Sequence, residues 1–124
     1  MESDLIITTE EAQGRKNVMI LHLQGWLDSK SEEHFLRAGR IAYEAGARFL
    51  VLDLEEIEAL TSAGMRAIQK VYKIFTPADE HFNVAHIKIC NAPPQIHTIL
   101  GITGFLQNIP SYATTQAALA SFDG

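Results

Sequence analysis

Two adjacent hydroxyls, Thr61 and Ser62, stand between an acidic run (Glu55, Glu56, Glu58) and the small residues Ala63 and Gly64. Directly upstream lies the apolar Val51-Leu52, followed by Asp53 and Leu54. A buried strand that passes through a short acidic loop and opens a helix on Ser/Thr places the hydroxyls where unpaired backbone N–H groups point outward. Two kinds of chemistry fit. Thr61 or Ser62 caps the helix by accepting a backbone N–H, a common use of these residues. Alternatively, one hydroxyl is a modification site. A phosphate there would meet the positive end of the helix dipole, one turn from Arg66.

Other chemistries find little support. Leu60-Thr61-Ser62-Ala63-Gly64 is not a nucleophile elbow, because Leu60 stands where that motif needs its first glycine. No glycine-rich phosphate loop ends in Lys-Ser or Lys-Thr. The five histidines, His22, His34, His81, His86 and His97, are scattered. His86 and Cys90 share a face of an expected strand but stand about 13 Å apart along it, too far for one zinc ion. Cys90 reads as a small core residue, and Glu55, Glu56 and Glu58 as a solvated loop. The sequence is therefore read as non-enzymatic, with no metal and no cofactor.

The elements that position these residues follow from periodicity. Leu5–Thr9 and Val18–Leu23 are short and β-branched, are separated by a polar turn containing Gly14, and predict a hairpin ended by Gly25. Ser29 or Ser31 offers an N-cap to a helix that begins with Glu32 and Glu33 and buries Phe35, Ala38, Gly39, Ala42 and Tyr43, with Gly46 as its stop. Phe49–Leu52 is a near-continuous apolar run that suits a central strand covered on both faces. A second helix spans Thr61–Phe75, with Met65, Ile68, Tyr72 and Phe75 facing in and Arg66, Gln69, Lys70 and Lys73 facing out, and Pro77 prevents its continuation. Phe82–Cys90 predicts a strand, and Pro93-Pro94 a helix start carried by Ile96, Ile99 and Leu100. Phe105–Ile109 predicts a short strand, and Thr114 or Thr115 caps a last helix, Gln116–Phe122. Strands alternating with helices after a hairpin imply an α/β layered fold.

Composition bounds the function classes. A chain of 124 residues with no linker or repeat is read as a single domain, 1–124. Hydrophobic residues make up 47% and charged residues 20%, as in soluble globular proteins. The net charge of −5 has the wrong sign for a nucleic-acid or anionic-membrane binder. The interval between Glu58 and Asp79 is the local exception, with no acid and with Arg66, Lys70 and Lys73 inside it. A lone cysteine, an acidic N-terminus and the absence of a membrane-length apolar run set a cytoplasmic expectation without membrane insertion.

The stretch from Val51 to Gly64 resembles the signature of STAS domains, typified by bacterial anti-sigma factor antagonists. There a strand similar to "VLDL" leads to Asp-Ser-Ser-Gly or Asp-Ser-Thr-Gly, and the residue after that aspartate is the serine phosphorylated by a cognate anti-sigma kinase. In Thr61-Ser62-Ala63-Gly64, Ser62 takes that position, while Thr61 stands in place of the aspartate and Ala63 in place of a hydroxyl. Gly25-Trp26-Leu27-Asp28 and Ile99-Leu100-Gly101-Ile102-Thr103-Gly104-Phe105 are similar to two further family segments, so the resemblance covers nearly the whole chain. It implies a mixed sheet of four or five strands with helices mainly on one face. It also implies a signalling domain that binds an anti-sigma factor, a serine kinase or a related switch partner in transcription regulation. The implied phosphorylation site is Ser62, and the implied contact residues are Asp28, Thr61, Ser62, Ala63, Gly64, Arg66 and Lys70. Any ATP would belong to the kinase. Two alternatives stay open: a constitutive STAS adaptor or scaffold subunit without phospho-switching, and a small-ligand or nucleotide-binding module. The oligomeric state is not readable from the sequence.

Overall fold

The structure, a computed structural model, describes residues 4–15, 17–76 and 85–123. Strands β1 (Ile6–Glu11), β2 (Val18–Leu27), β3 (Phe49–Leu60), β4 (Ile87–Cys90) and β5 (Ser111–Tyr112) form one sheet in the order β1-β2-β3-β4-β5. The β1–β2 hairpin is antiparallel and every other pairing is parallel, so the sheet is mixed. Each parallel step needs a crossover. Helices α1 (Glu32–Glu44), α2 (Ser62–Phe75) and α3 (Pro94–Ile102) supply them, and α4 (Thr115–Ala120) follows β5.

Alternation along the strands divides the core in two. Leu21, Leu23, Leu50, Leu52, Leu54, Ile87 and Ile89 point to one face and meet Phe35 and Leu36 of α1, Ala67, Ile68 and Val71 of α2, and Ile96 and Leu100 of α3. On the opposite face Val18, Ile20, Val51 and Cys90 are covered by Ala118 of α4. Three of the four α-helices among the described residues therefore share a face, as the resemblance implies. Helices α1 and α2 touch closely because Gly39 has no side chain: a Cβ there would lie 3.0 Å from a methyl of Val71. Among the described residues no helix is long and apolar enough to cross a membrane.

Several expectations need correction. Gly25 does not end β2; its φ of +104° sits beside a register irregularity, and the strand continues to Leu27. The acidic run is not a loop. Glu55, Glu56 and Glu58 lie within β3, which runs unbroken to Leu60. Between His22/Gln24 and between Gly25/Trp26 the pairing slips, each time with one more residue on β3 than on β2. Bulges of this kind re-aim side chains, so Leu54, Ile57 and Leu60 stay buried at a spacing of three while Glu55, Glu56 and Glu58 are exposed.

Ser31 occupies the N-cap of α1 without a side-chain capping bond. The inner face of α2 is built from Ala63, Gly64, Ala67, Ile68, Val71 and Phe75, with Met65 and Tyr72 only half-buried. Phe105–Ile109 is not a strand. Gly104, at φ +77°, turns the chain into a 3-10 turn, Phe105–Gln107, that buries Phe105 and Ile109. The edge strand comes two residues later, where Ile89 N–H donates to Pro110 O at 2.9 Å and Asn91 N–H to Tyr112 O at 3.1 Å. Gly46, at φ +112°, closes α1 as expected, and Thr114 caps α4 by accepting from Ala117 N–H at 3.0 Å. Pro77, His81 and the first residues of the expected Phe82–Cys90 strand lie outside the described residues.

Candidate functional site

β2 and β3 are parallel and end together, so the chain leaves both at one rim of the sheet. Thr61 N–H donates to Leu27 O at 3.1 Å, tying the start of α2 to the last residue of β2. Asp28 follows Leu27 and Ser62 follows Thr61, which brings these two candidates to the same rim. Gly64 explains how close the approach is. A Cβ on it would lie 2.2 Å from the Leu27 carbonyl oxygen and 2.9 Å from a Leu60 methyl. Only glycine permits this seam.

The two hydroxyls divide their work. Thr61 is the N-cap, with extended backbone, and its Oγ1 accepts from Gly64 N–H at 3.2 Å. Ser62 is the first helical residue and is exposed. Among the described residues its hydroxyl has no hydrogen-bond partner. Ala63 and Gly64 are buried, so of the motif's four residues Thr61 and Ser62 are the exposed ones.

Asp28 is half-buried and committed to a turn. Its Oδ1 accepts from Lys30 N–H at 3.0 Å and Ser31 N–H at 3.2 Å, while Ser31 Oγ accepts from Asp28 N–H at 3.0 Å and lies 2.9 Å from Trp26 O. This small network fixes how the chain passes from β2 into α1. Trp26, just past the Gly25 irregularity, is half-buried.

The basic stripe on α2 is less free than the sequence suggests. Arg66, Lys70 and Lys73 are exposed, but Lys70 Nζ donates to Glu32 Oε2 of α1 at 2.7 Å. The Lys70 hydrogen bond, helped by the charges of Lys70 and Arg66, holds the Glu32 carboxyl below its ordinary range. Periodicity within α2 could not reveal a partner on another helix.

A second polar cluster lies on the sheet face away from α1–α3, where the sequence pattern gives no motif for it. His22 on β2 lies between Asp53 on β3, 2.7 Å from Nδ1, and Glu10 on β1, 2.7 Å from Nε2. Asp53 Oδ1 also accepts from Asn91 Nδ2 at 3.0 Å and Glu55 N–H at 3.1 Å. The signal was the alternation of β2, which puts His22 on the face opposite Leu21 and Leu23; the register that brings Glu10 and Asp53 alongside was not legible. Burial pushes the Cys90 thiol up to about 11, as suits an unreactive core residue. His86 Nδ1 lies 2.9 Å from Arg48 O and its ring stacks on Phe49, so it is engaged away from Cys90. Among the described residues no group of His, Cys, Asp and Glu could hold a metal ion.

Comparison with known proteins bears on the family and the fold. BtrV of Bordetella bronchiseptica, by its description a candidate anti-sigma factor antagonist, is 28% identical over 105 residues, covering 85% of this chain and 86% of BtrV. The crystal structure of an anti-sigma factor antagonist from Mycobacterium paratuberculosis superposes with a TM-score of 0.81 at 18% identity, covering 98% of this chain and 96% of that one. The unphosphorylated form of the anti-sigma factor antagonist SpoIIAA gives a TM-score of 0.75 at 14% identity, covering 96% of this chain and 97% of that one. At these identities the solved structures speak for the fold. The STAS domain model matches residues 10–118. With that match over most of its length, the chain belongs to the STAS domain family.

Proposed function

We propose that this chain is a non-catalytic, cytoplasmic switch protein that binds an anti-sigma factor, a serine kinase or a related partner, and that phosphorylation of Ser62 controls the binding. One observation carries the reading: the Ser62 hydroxyl is exposed on the first turn of α2 and, among the described residues, unengaged, while its neighbour Thr61 does the capping. A hydroxyl with no structural duty is open to modification. The contact surface is the rim around Asp28, Thr61 and Ser62, continued along α2 by Arg66 and Lys70, with buried Ala63 and Gly64 setting the shape beneath it. Phosphate at Ser62 adds about −1.5 to −2 charges, enough to repel or desolvate a surface matched to the unmodified rim. The whole of residues 1–124 acts as the one STAS unit, and no cofactor belongs to it.

The sequence favours a second reading at one point. Thr61 occupies the place of the family's aspartate, and Ala63, where the family carries a hydroxyl, is buried. Both suit a constitutive adaptor or scaffold subunit. Intact-mass measurement and phosphopeptide mapping of the chain from its native host distinguish the two. A phosphorylated fraction at Ser62 is expected for the switch; its absence under every growth condition would leave the adaptor. A nucleotide-binding module would instead show saturable nucleotide binding without a protein partner.

A further inference from the structure

The sheet face away from α1–α3 is only partly covered. Helix α4 lies over Val18, Ile20, Val51 and Cys90. The remaining part, lined by Ile6, Thr8, His22, Gln24, Asp53 and Glu55, is an open concavity of about 400 Å³. At its centre His22 bridges three strands. Ionised carboxylates only accept hydrogen bonds, and an imidazole donates from both nitrogens only when it is protonated. Asp53 acts as an acceptor, because its Oδ1 already takes two N–H donors. Glu10 is solvated, its side chain 58% exposed. With both carboxylates at 2.7 Å, the geometry is that of an imidazolium held on two sides.

The surroundings reinforce this. Thr8 and Glu10 face His22 from β1, Gln24 from its own strand, and Asp53 and Glu55 from β3, with Glu56 at the rim of the concavity. Lys88, on β4, is a cation on this face, but its Nζ is turned away onto Ser121 Oγ at 2.6 Å and the Phe122 ring. Partial burial is the largest single influence and lowers the imidazole pKa. Hydrogen bonds and charge from Glu10 and Asp53 together outweigh it, so the net direction is upward from 6.5.

We propose that His22 is a pH-operated clasp: protonated, it ties the edge strand β1 to β3 across β2, and on losing its Nε2 proton it releases Glu10 and loosens that edge. The proton lost is the one nearer solvent, because Asp53, at 11% side-chain exposure, is far more enclosed than Glu10. It passes to water and leaves Nδ1–H on Asp53. The bare Nε2 lone pair then faces the Glu10 carboxylate, two acceptors at hydrogen-bond distance, and Glu10 swings out. Among the described residues β1 pairs only with β2, so this side-chain tie supplements the ladder that holds it.

The test is an NMR titration of the full chain, following the His22 ring nitrogens together with amide hydrogen exchange corrected for intrinsic base catalysis. The His22 midpoint is expected above 6.5, with the Nδ1–H tautomer on its basic side. Exchange of the Ile6–Glu11 amides should rise through the same midpoint by about two- to fivefold, the range that exposed ion pairs support, while β4 stays unchanged. Glu10→Gln, a surface change, should lower the midpoint and abolish the step in β1 exchange. Asp53→Asn should lower the midpoint further. A midpoint at or below 6.5, β1 exchange flat across the titration, or a midpoint unmoved by Glu10→Gln would each overturn the clasp.

Discussion

Replacing Thr61 and Ser62 one at a time separates capping from exposure. Thr61 Oγ1 is the acceptor for Gly64 N–H, so Thr61→Ala should cost about 1 kcal/mol, the usual loss for an N-cap. Ser62 makes no such bond, and Ser62→Ala should stay within about 0.5 kcal/mol of the parent, as surface substitutions do. Urea unfolding of the two variants checks the order; equal losses would mean that the cap is shared. At Gly64 the obstacle to a side chain is backbone, the Leu27 carbonyl at 2.2 Å. Gly64→Ala therefore has to push α2 off the end of β2, and a loss of about 1–3 kcal/mol is expected, the scale of overpacking a tight contact. The adjacent hydroxyls and the glycine were legible as a helix start. Which hydroxyl caps was not, because both Ser and Thr suit the position and the choice depends on one residue of phase.

Elements were legible where their burial period is simple, as in α1, α2 and the β1–β2 hairpin. They are not legible where a neighbour sets the phase. In β3 the two pairing slips stretch the buried spacing to Leu54, Ile57 and Leu60, a spacing of three that with intervening acids imitates a loop. Phe105 and Ile109 are four apart and both buried, a helical spacing that a short segment with apolar ends does not distinguish from a strand. The outer face of α2 is legible as exposed, but its bond to α1 is invisible from α2 alone. That bond leads to a prediction. Replacing Arg66, Lys70 and Lys73 with Gln should leave the thermal midpoint nearly unchanged and weaken capture of the partner. Glu32→Gln, which frees Lys70 from its 2.7 Å bond, should speed association with an acidic partner surface and steepen its dependence on salt. Binding indifferent to both changes would make the stripe a merely solvated face.

At the scale of the whole molecule, stability and binding should respond to different charges. His22 has a folded pKa raised above its unfolded value. Its contribution to stability is therefore full below about 6.5 and fades as pH rises through the folded pKa. His22→Gln should flatten that part of the stability–pH curve, measured by urea unfolding across the interval, without touching the Ser62 rim. Binding should depend instead on charge at Ser62. A carboxylate at a helix N-terminus is favourable by about 0.3–1 kcal/mol, so Ser62→Asp should fold at least as well as Ser62→Ala. The most direct measurement is titration calorimetry of both variants with the partner that co-purifies with the chain, beside a melting curve for each. The account predicts parent-like affinity for Ser62→Ala and weakened affinity for Ser62→Asp, with both variants folded. Equal affinity of two folded variants would contradict charge control at Ser62.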